Sequence, residues 1–291
     1  MDLDPRRLLT LRAVALHHGV QGAAAALHLT PSAVSQQLQQ LERTAGVTLF
    51  DRTGRAIGLT PAGHSLLAAA HQIDDALRGA EAELGQRRDR IAGHLRVGSF
   101  QTAIVFLLAP AIGELRTLHP DLTIEIVETT DAEGIRMVRS GELDAATIEH
   151  AGPAARRLPS RVATVPLLDD PFVVIVPPSW RQRSFHALAD VGWITSAGMT
   201  AADDALVAAF TRIGRTPRVV HRCSEYPPVV ELVARGEGAA IVTSLALRLY
   251  GAERVRTLPL PNVGSRTISL LHRTQRNEPS AAVRALVGAL S

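Results

Sequence analysis

From Thr30 the chain reads Thr-Pro-Ser-Ala-Val-Ser-Gln-Gln-Leu-Gln-Gln-Leu-Glu. At 100° per residue, Val34, Leu38 and Leu41 fall on one side of a helix, Ser32, Gln36, Gln39 and Arg43 fall opposite, and Ser35 lies at the flank. A face that is merely solvated usually carries Glu and Arg; this one carries uncharged amides and hydroxyls. Gln can pair bidentately with adenine N6 and N7, a Ser hydroxyl can meet donors or acceptors, and neither carries a charge for the phosphates to capture. The row therefore suits the reading of base edges in double-stranded DNA.

The elements around the row are those needed to present it. Asp4-Pro5 caps and opens a first helix with Leu8, Leu11, Val14 and Ala15 at helical spacing, closed by Gly19. An Ala-rich second helix is expected from Gly22 to His28. Thr30 then caps a third that Pro31 opens. Two short helices joined by a tight turn, the second polar at its N-terminal end, make a helix-turn-helix. Val47–Phe50 and Ala56–Leu59 flank Asp51-Arg52-Thr53-Gly54-Arg55, a small β wing whose Arg52 and Arg55 would grip phosphate or enter the minor groove. After Thr60-Pro61 a long helix carries Leu66, Ala70, Ile73, Leu77, Ala80 and Leu84 in steps of four and three. This is a heptad stripe that predicts a partner helix and hence a dimer.

Composition removes many other chemistries. All 31 basic residues are Arg, which excludes a Walker-loop lysine and a Schiff-base lysine. The single Cys223 can form neither an internal disulfide nor a thiolate zinc cluster, and reads as a small buried hydrophobe. No Gly-x-Ser-x-Gly elbow, Gly-x-Gly-x-x-Gly loop or His-Glu-x-x-His pair is present, and His17-His18 at a helix end suits capping rather than a metal. A regulator with no catalytic residues, no metal and no cofactor is expected. MDLDPRR has no apolar run behind it and no stretch looks long enough to span a bilayer, so a cytoplasmic protein with no membrane partner is expected.

Beyond residue 92, strands ("HLRVGS", "LTIEIVE", "GELDAATI", "FVVIVPP", "VGWITS", "RVVHRCS", "GAAIVTS") alternate with helices, predicting parallel sheets in two α/β units, the second beginning at "FVVIVPP". Hydroxyl residues recur at the strand ends: Ser99-Phe100-Gln101-Thr102, Thr129, Thr147, Thr195-Ser196, Ser224 and Thr243. Ligands sit beyond the carboxyl ends of strands in such folds, so these residues are the candidate effector-binding set; singly, each also suits a helix cap. A turn at Ser99–Thr102, walled by Phe100 and Ile148, suits a small ligand with an anionic group, a neutral aromatic or amphipathic one being the alternative.

The run Ala24-Ala25, Leu27, Thr30, Ser32-Ala33-Val34-Ser35, Leu38, Leu41-Glu42, Gly46, Leu49-Phe50, Arg52, Arg55, Leu59-Thr60, Ala62-Gly63 resembles the winged helix-turn-helix of LysR-type transcriptional regulators. "RVGS", "GELDAATI", "LLDDPFVVIVPP" and "ELVARGEGAAIVTSLA" resemble the effector domain of the same family. Gly19-Val20-Gln21 departs from the Gly-Ser-Phe type entry common there. The resemblance implies an all-α winged helix-turn-helix head (residues 1–62) and a long linker helix for dimerisation (63–92). It further implies an α/β effector domain like periplasmic solute-binding proteins (93–291). That domain would comprise subdomain I (about 93–164 and 265–291) and subdomain II (about 165–264), with the ligand between them. Thr30, Pro31, Ser32, Ser35, Gln36, Gln39, Arg52 and Arg55 would face DNA. The expected partners are an interrupted palindrome, a small-molecule effector, further copies of the chain as homodimer or homotetramer, and RNA polymerase as a candidate. A constitutive DNA-binding regulator without an effector is the alternative.

Overall fold

The computed structural model describes residues 3–17, 19–51, 58–86, 91–151, 162–196, 200–258, 263–274 and 279–290. The head comprises α1 (Pro5–Leu16), α2 (Val20–Leu27), α3 (Pro31–Ala45) and a wing of β1 (Phe50–Asp51) paired antiparallel with β2 (Gly58–Leu59). Arg52 and Arg55 lie outside the described residues. Capping sets the helix bounds: the Asp4 side chain accepts from Arg6 N–H, Thr30 from Ala33 N–H, and His28, at φ +54°, ends α2 in the left-handed region. A Cβ at Gly22 would run into the His17 carbonyl, so a glycine lets α2 close onto the end of α1. Leu8, Leu11, Val14, Ala23, Val34, Leu38 and Leu41 form the head core.

The helix α4 (Pro61–Gln86) leaves the head, capped by Thr60, whose hydroxyl accepts from Gly63 N–H. Its stripe does not run as one seam. Ala70 is buried in the head core, and Leu66 and Ile73 pack against that core. Their apolar partner is their own head. Leu77 is 52% exposed and Ala80 is exposed, while the Leu84 side chain lies outside the described set.

The C-terminal α/β domain continues with β3 (Gly93–Ser99), α5 (Gln101–Ala103), a π-helical turn (Ile104–Leu108), α6 (Ala109–Leu118), β4 (Leu122–Glu128), α7 (Asp131–Ser140), β5 (Ala145–Ala151) and β6 (Val162–Val176). Then follow β7 (Gly192–Thr195), α8 (Ala201–Arg212), β8 (Arg218–Arg222), α9 (Tyr226–Ala234), β9 (Ala239–Thr243), α10 (Ser244–Tyr250), β10 (Arg256–Leu258), β11 (Ser265–Arg273) and α11 (Ala281–Leu290). The strand order is β4-β3-β5-β11-β6-β9-β7-β8, with β10 on β6.

Three expectations need correction. The sheet is mixed: β3 pairs parallel with β4 and β5, and β7 with β8 and β9, but β11 is antiparallel to β5 and β6, as β6 is to β9. The second unit does not start at "FVVIVPP"; β6 is one 15-residue strand, paired with β11 from Val162–Arg273 to Pro171–Ser265, so an antiparallel ribbon joins the subdomains. Finally, the helical run Gln101–Leu118 does reach membrane-spanning length and apolarity. Its Leu108, Ala111 and Leu115 pack with Leu95, Val97 and Leu286 in the core of subdomain I. In subdomain II, Trp193, Phe185 and Phe210 pack as tilted and edge-to-face rings.

Candidate DNA-reading face and effector cleft

Val34, Leu38 and Leu41 anchor α3 in the head, which fixes what its other face presents. Thr30, Pro31, Ser32, Gln36 and Gln39 are exposed and Ser35 is half-buried. The Thr30 and Ser32 hydroxyls lie 3.0 Å apart at the N-terminus of α3, where free N–H groups point outward. Gln36 and Gln39 line an open concavity of about 560 Å³, flanked by Arg7 of α1 and Arg43 at the far end of α3. Amides at the centre and guanidiniums at the margins match base readout between phosphate contacts. Two supports had no signal in the helical period. The Thr10 hydroxyl donates to Gln37, and Glu42 accepts from Leu49 N–H (2.8 Å), tying α3 to the wing.

In the effector domain the candidate residues separate into three groups. Ser99 and Thr147 are buried with their hydroxyls 2.7 Å apart, joining the ends of β3 and β5. Thr102 and Thr243, also buried, converge on a residue that periodicity did not single out, Arg266 of β11. Its Nη2 donates to Thr102 (2.8 Å) and Thr243 (3.2 Å). Arg266 also donates through Nε (3.0 Å) and Nη2 (2.8 Å) to Asp170 and through Nη1 to Glu149, with its guanidinium 5.0 Å from the Phe100 ring centre. Asp170 in turn accepts from Leu245 N–H at the start of α10. Gln101 accepts from the Tyr250 hydroxyl, a second tie between the subdomains.

The remaining candidates are elsewhere. Thr195 donates to the Ser196 carbonyl, Ser196 is held by Asp203 of α8, and Ser224 is exposed beyond β8. The Thr129 hydroxyl is buried without a hydrogen-bond partner, 3.0 Å from where a Cβ at Gly98 would stand. Ile148 does not wall this cluster. Strand alternation turns Thr147 and Glu149 toward Arg266 and Ile148 to the opposite face, where it packs with Val138 and Leu143.

Electrostatics explain why so many groups gather at Arg266. Burial works against its charge, but Glu149, Tyr226 and Asp170 outweigh that and hold its pKa above the ordinary value. Burial likewise pushes the Tyr226 phenol up to about 12, so it stays neutral beside this network. One cation thus faces two carboxylates.

Comparison with known proteins decides the family. "LysR substrate binding domain" matches residues 88–291, and "Bacterial regulatory helix-turn-helix protein, lysR family" matches residues 5–64. The chain belongs to the LysR family of transcriptional regulators. It is 25% identical over 291 residues, 97% of this chain and 92% of the relative, to an uncharacterized HTH-type transcriptional regulator, YfeR, of Shigella flexneri. It is 27% identical over 289 residues to a probable hydrogen peroxide-inducible genes activator of Mycobacterium avium, covering 96% of this chain and 91% of that one. Among solved structures, full-length OxyR of Pseudomonas aeruginosa superposes with a TM-score of 0.80 at 24% identity, covering 100% of this chain and 95% of that chain. CbnR complexed with its target DNA gives 0.65 at 20% identity, with 99% of each chain covered. This LysR-type regulator therefore has the family's DNA-binding head and effector-binding domain.

Proposed function

We propose that this LysR-type regulator reads an interrupted palindrome as a homodimer or homotetramer through α3 and responds to a small molecule bound between its α/β subdomains. The observation that carries the DNA half is the exposed neutral row, Ser32, Gln36 and Gln39, flanked by Arg7 and Arg43. Ser35 and the Thr30-Pro31 entry complete the reading edge, and Arg52 and Arg55 contact phosphate or the minor groove. That the CbnR structure contains its target DNA supports the same use of the head here. Leu77 and Ala80, the exposed part of the α4 stripe, meet the same positions of a second chain. RNA polymerase is a candidate further partner, and the setting is cytoplasmic.

An effector works by binding one arrangement of the subdomains better than another, and needs no chemical step. Because Arg266 is already balanced by Asp170 and Glu149, the cleft favours a neutral or amphipathic ligand over an anion. The same network, in which Arg266 ties Thr102 of subdomain I to Thr243 of subdomain II, favours a second reading: a constitutive regulator whose own Arg266 holds the cleft closed. Thermal unfolding of the full chain against a panel of neutral, anionic and cationic metabolites separates the two. Ligand binding raises stability by about 3 kcal/mol at a hundredfold excess over Kd. A neutral compound that stabilises the chain and shifts its affinity for a duplex selected from a random library supports an effector. No shift across the panel supports the constitutive reading.

A further inference from the structure

Residues 70–74 of α4 are gripped from two sides. Ala70 and Ile73 face the head core, whereas His71, between them in sequence and only 4% exposed, faces subdomain I. There it meets Gly141, which caps α7 at φ +82°: a Cβ at that position would stand 2.6 Å from the His71 Cβ and 2.8 Å from a guanidinium nitrogen of Arg273. Any side chain at residue 141 would push the linker helix off the domain, so the approach itself depends on glycine.

The groups around His71 come from the head, from α4 itself and from subdomain I. Arg12 of α1 donates through Nε to His71 Nδ1 (3.3 Å) and pairs through Nη2 with Asp74 of α4 (2.9 Å). From subdomain I come Arg273 at the end of β11, Glu142 and Arg96. The receiving turn is braced. Arg96 of β3 donates through its N–H to Asp144 (2.7 Å) and through Nη1 to the Glu142 carbonyl (2.8 Å), Arg136 donates to Glu142, and Arg273 lies 3.6 Å from Asp144. A braced turn against His71, with the head holding Ala70 and Ile73 on the other side of α4, fixes the direction of the head relative to subdomain I.

We propose that this junction, Arg12, His71 and Asp74 against Gly141 and Arg273, is an intrachain dock that sets the orientation of the DNA-reading head and transmits the state of the effector domain to it. Two features suit it to that role rather than to packing alone. Its contacts are polar, so water can satisfy them on release, and polar interfaces within a chain are those at which domains move. In addition, β11 carries Arg273 into the dock and Arg266 into the cleft seven residues away, one strand paired along its length between β5 and β6. A shift between subdomains that moves Arg266 therefore moves Arg273. The depressed pKa of His71 agrees with a closed junction: burial first, then Arg12, hold the ring neutral.

The test measures the distance between spin labels at Thr48→Cys in the head and Arg139→Cys on α7, in a Cys223→Ser full-length background diluted with unlabelled chains to suppress signals between copies. A single narrow distribution is expected for the parent, and a broad one for both His71→Ala and Arg12→Gln. Should His71→Ala fail to fold, Arg12→Gln, altered from the head side, decides. A broad parent distribution, or narrow and unchanged variants, overturns the dock. Transmission is read separately, on a duplex selected by the parent protein from a random library. Either variant should change affinity by about 5-fold or more. Unchanged affinity alongside a broadened distance overturns transmission. Neither arm requires an effector, so failure of the effector reading leaves this test standing.

Discussion

Replacing Arg266 by Met leaves the volume of the cleft nearly filled and removes every hydrogen bond that the guanidinium makes in it. The side chains of Arg266 and Asp170 are 2% and 0% exposed, and that of Glu149 is 17% exposed. Glu149 can turn toward water, and the Thr102 and Thr243 hydroxyls can rotate to other acceptors, so the loss at these three is small beside that at Asp170. Asp170 cannot. It keeps only the Leu245 N–H, and a buried carboxylate that loses its partner costs about 3–5 kcal/mol. Arg266→Met is therefore expected to destabilise the effector domain by about 3–5 kcal/mol, most of it at Asp170. Adding Asp170→Asn removes the stranded charge while an amide oxygen still accepts from Leu245, and should restore about 2 kcal/mol. Urea unfolding at pH 7, followed by the emission of Trp193 and Trp180, which pack in and against one core of subdomain II, measures both. A single variant that loses under about 1 kcal/mol, or a double variant no better than the single, would refute the view of Arg266 as the compensating charge.

His71 predicts an acid-sensitive fold. Burial lowers its pKa from 6.5 to about 4, so the unfolded chain binds the proton more readily. Its contribution is complete above pH 6.5 and is lost as pH falls toward 4, amounting to about 2 kcal/mol by pH 5. Urea midpoints of the parent and of His71→Gln should converge as pH falls from 7.5 to 5, and parallel pH profiles would show that His71 does not bind its proton differently on unfolding. On α4, Leu77→Asp should yield monomers with an intact head, seen in sedimentation and circular dichroism. Ile73→Asp should instead unfold the head, because its neighbours are its own core. Monomers with a native head from Ile73→Asp would place that side chain in the dimer seam after all.

Much of the head was legible because its determinants are local. Thr30-Pro31 and Thr60-Pro61 each place a cap beside a fixed φ, and one turn of helix separates Val34 from Leu38. The stripe on α4 shows the limit of such reasoning. A period of 3.5 says that a partner exists, but not whether it is another chain or the head a few residues upstream. The effector domain shows a second limit. Strand-end hydroxyls were visible one by one, but Arg266 reaches Asp170, Glu149 and Thr102 across 96, 117 and 164 residues, and its pairing depends on β11 returning between β5 and β6. The same burial changes what Ser99 and Thr102 do: they already hold Thr147 and Arg266, so a bulky residue there would disturb the fold before it disturbed a ligand. The fate of Ile148 turned on a register that the apolar run "AATI" left open.

The central claim, that α3 reads base edges through its neutral row, is tested most directly by one pair of titrations. The parent and Gln36→Ala are titrated with the duplex selected by the parent and with a random duplex of equal length at the same salt concentration. The account predicts that Gln36→Ala loses about 1–3 kcal/mol on the selected duplex, traceable to one base pair, with affinity for random duplex unchanged. An equal loss on both duplexes would contradict it and assign Gln36 to the phosphate backbone or to the fold of the head.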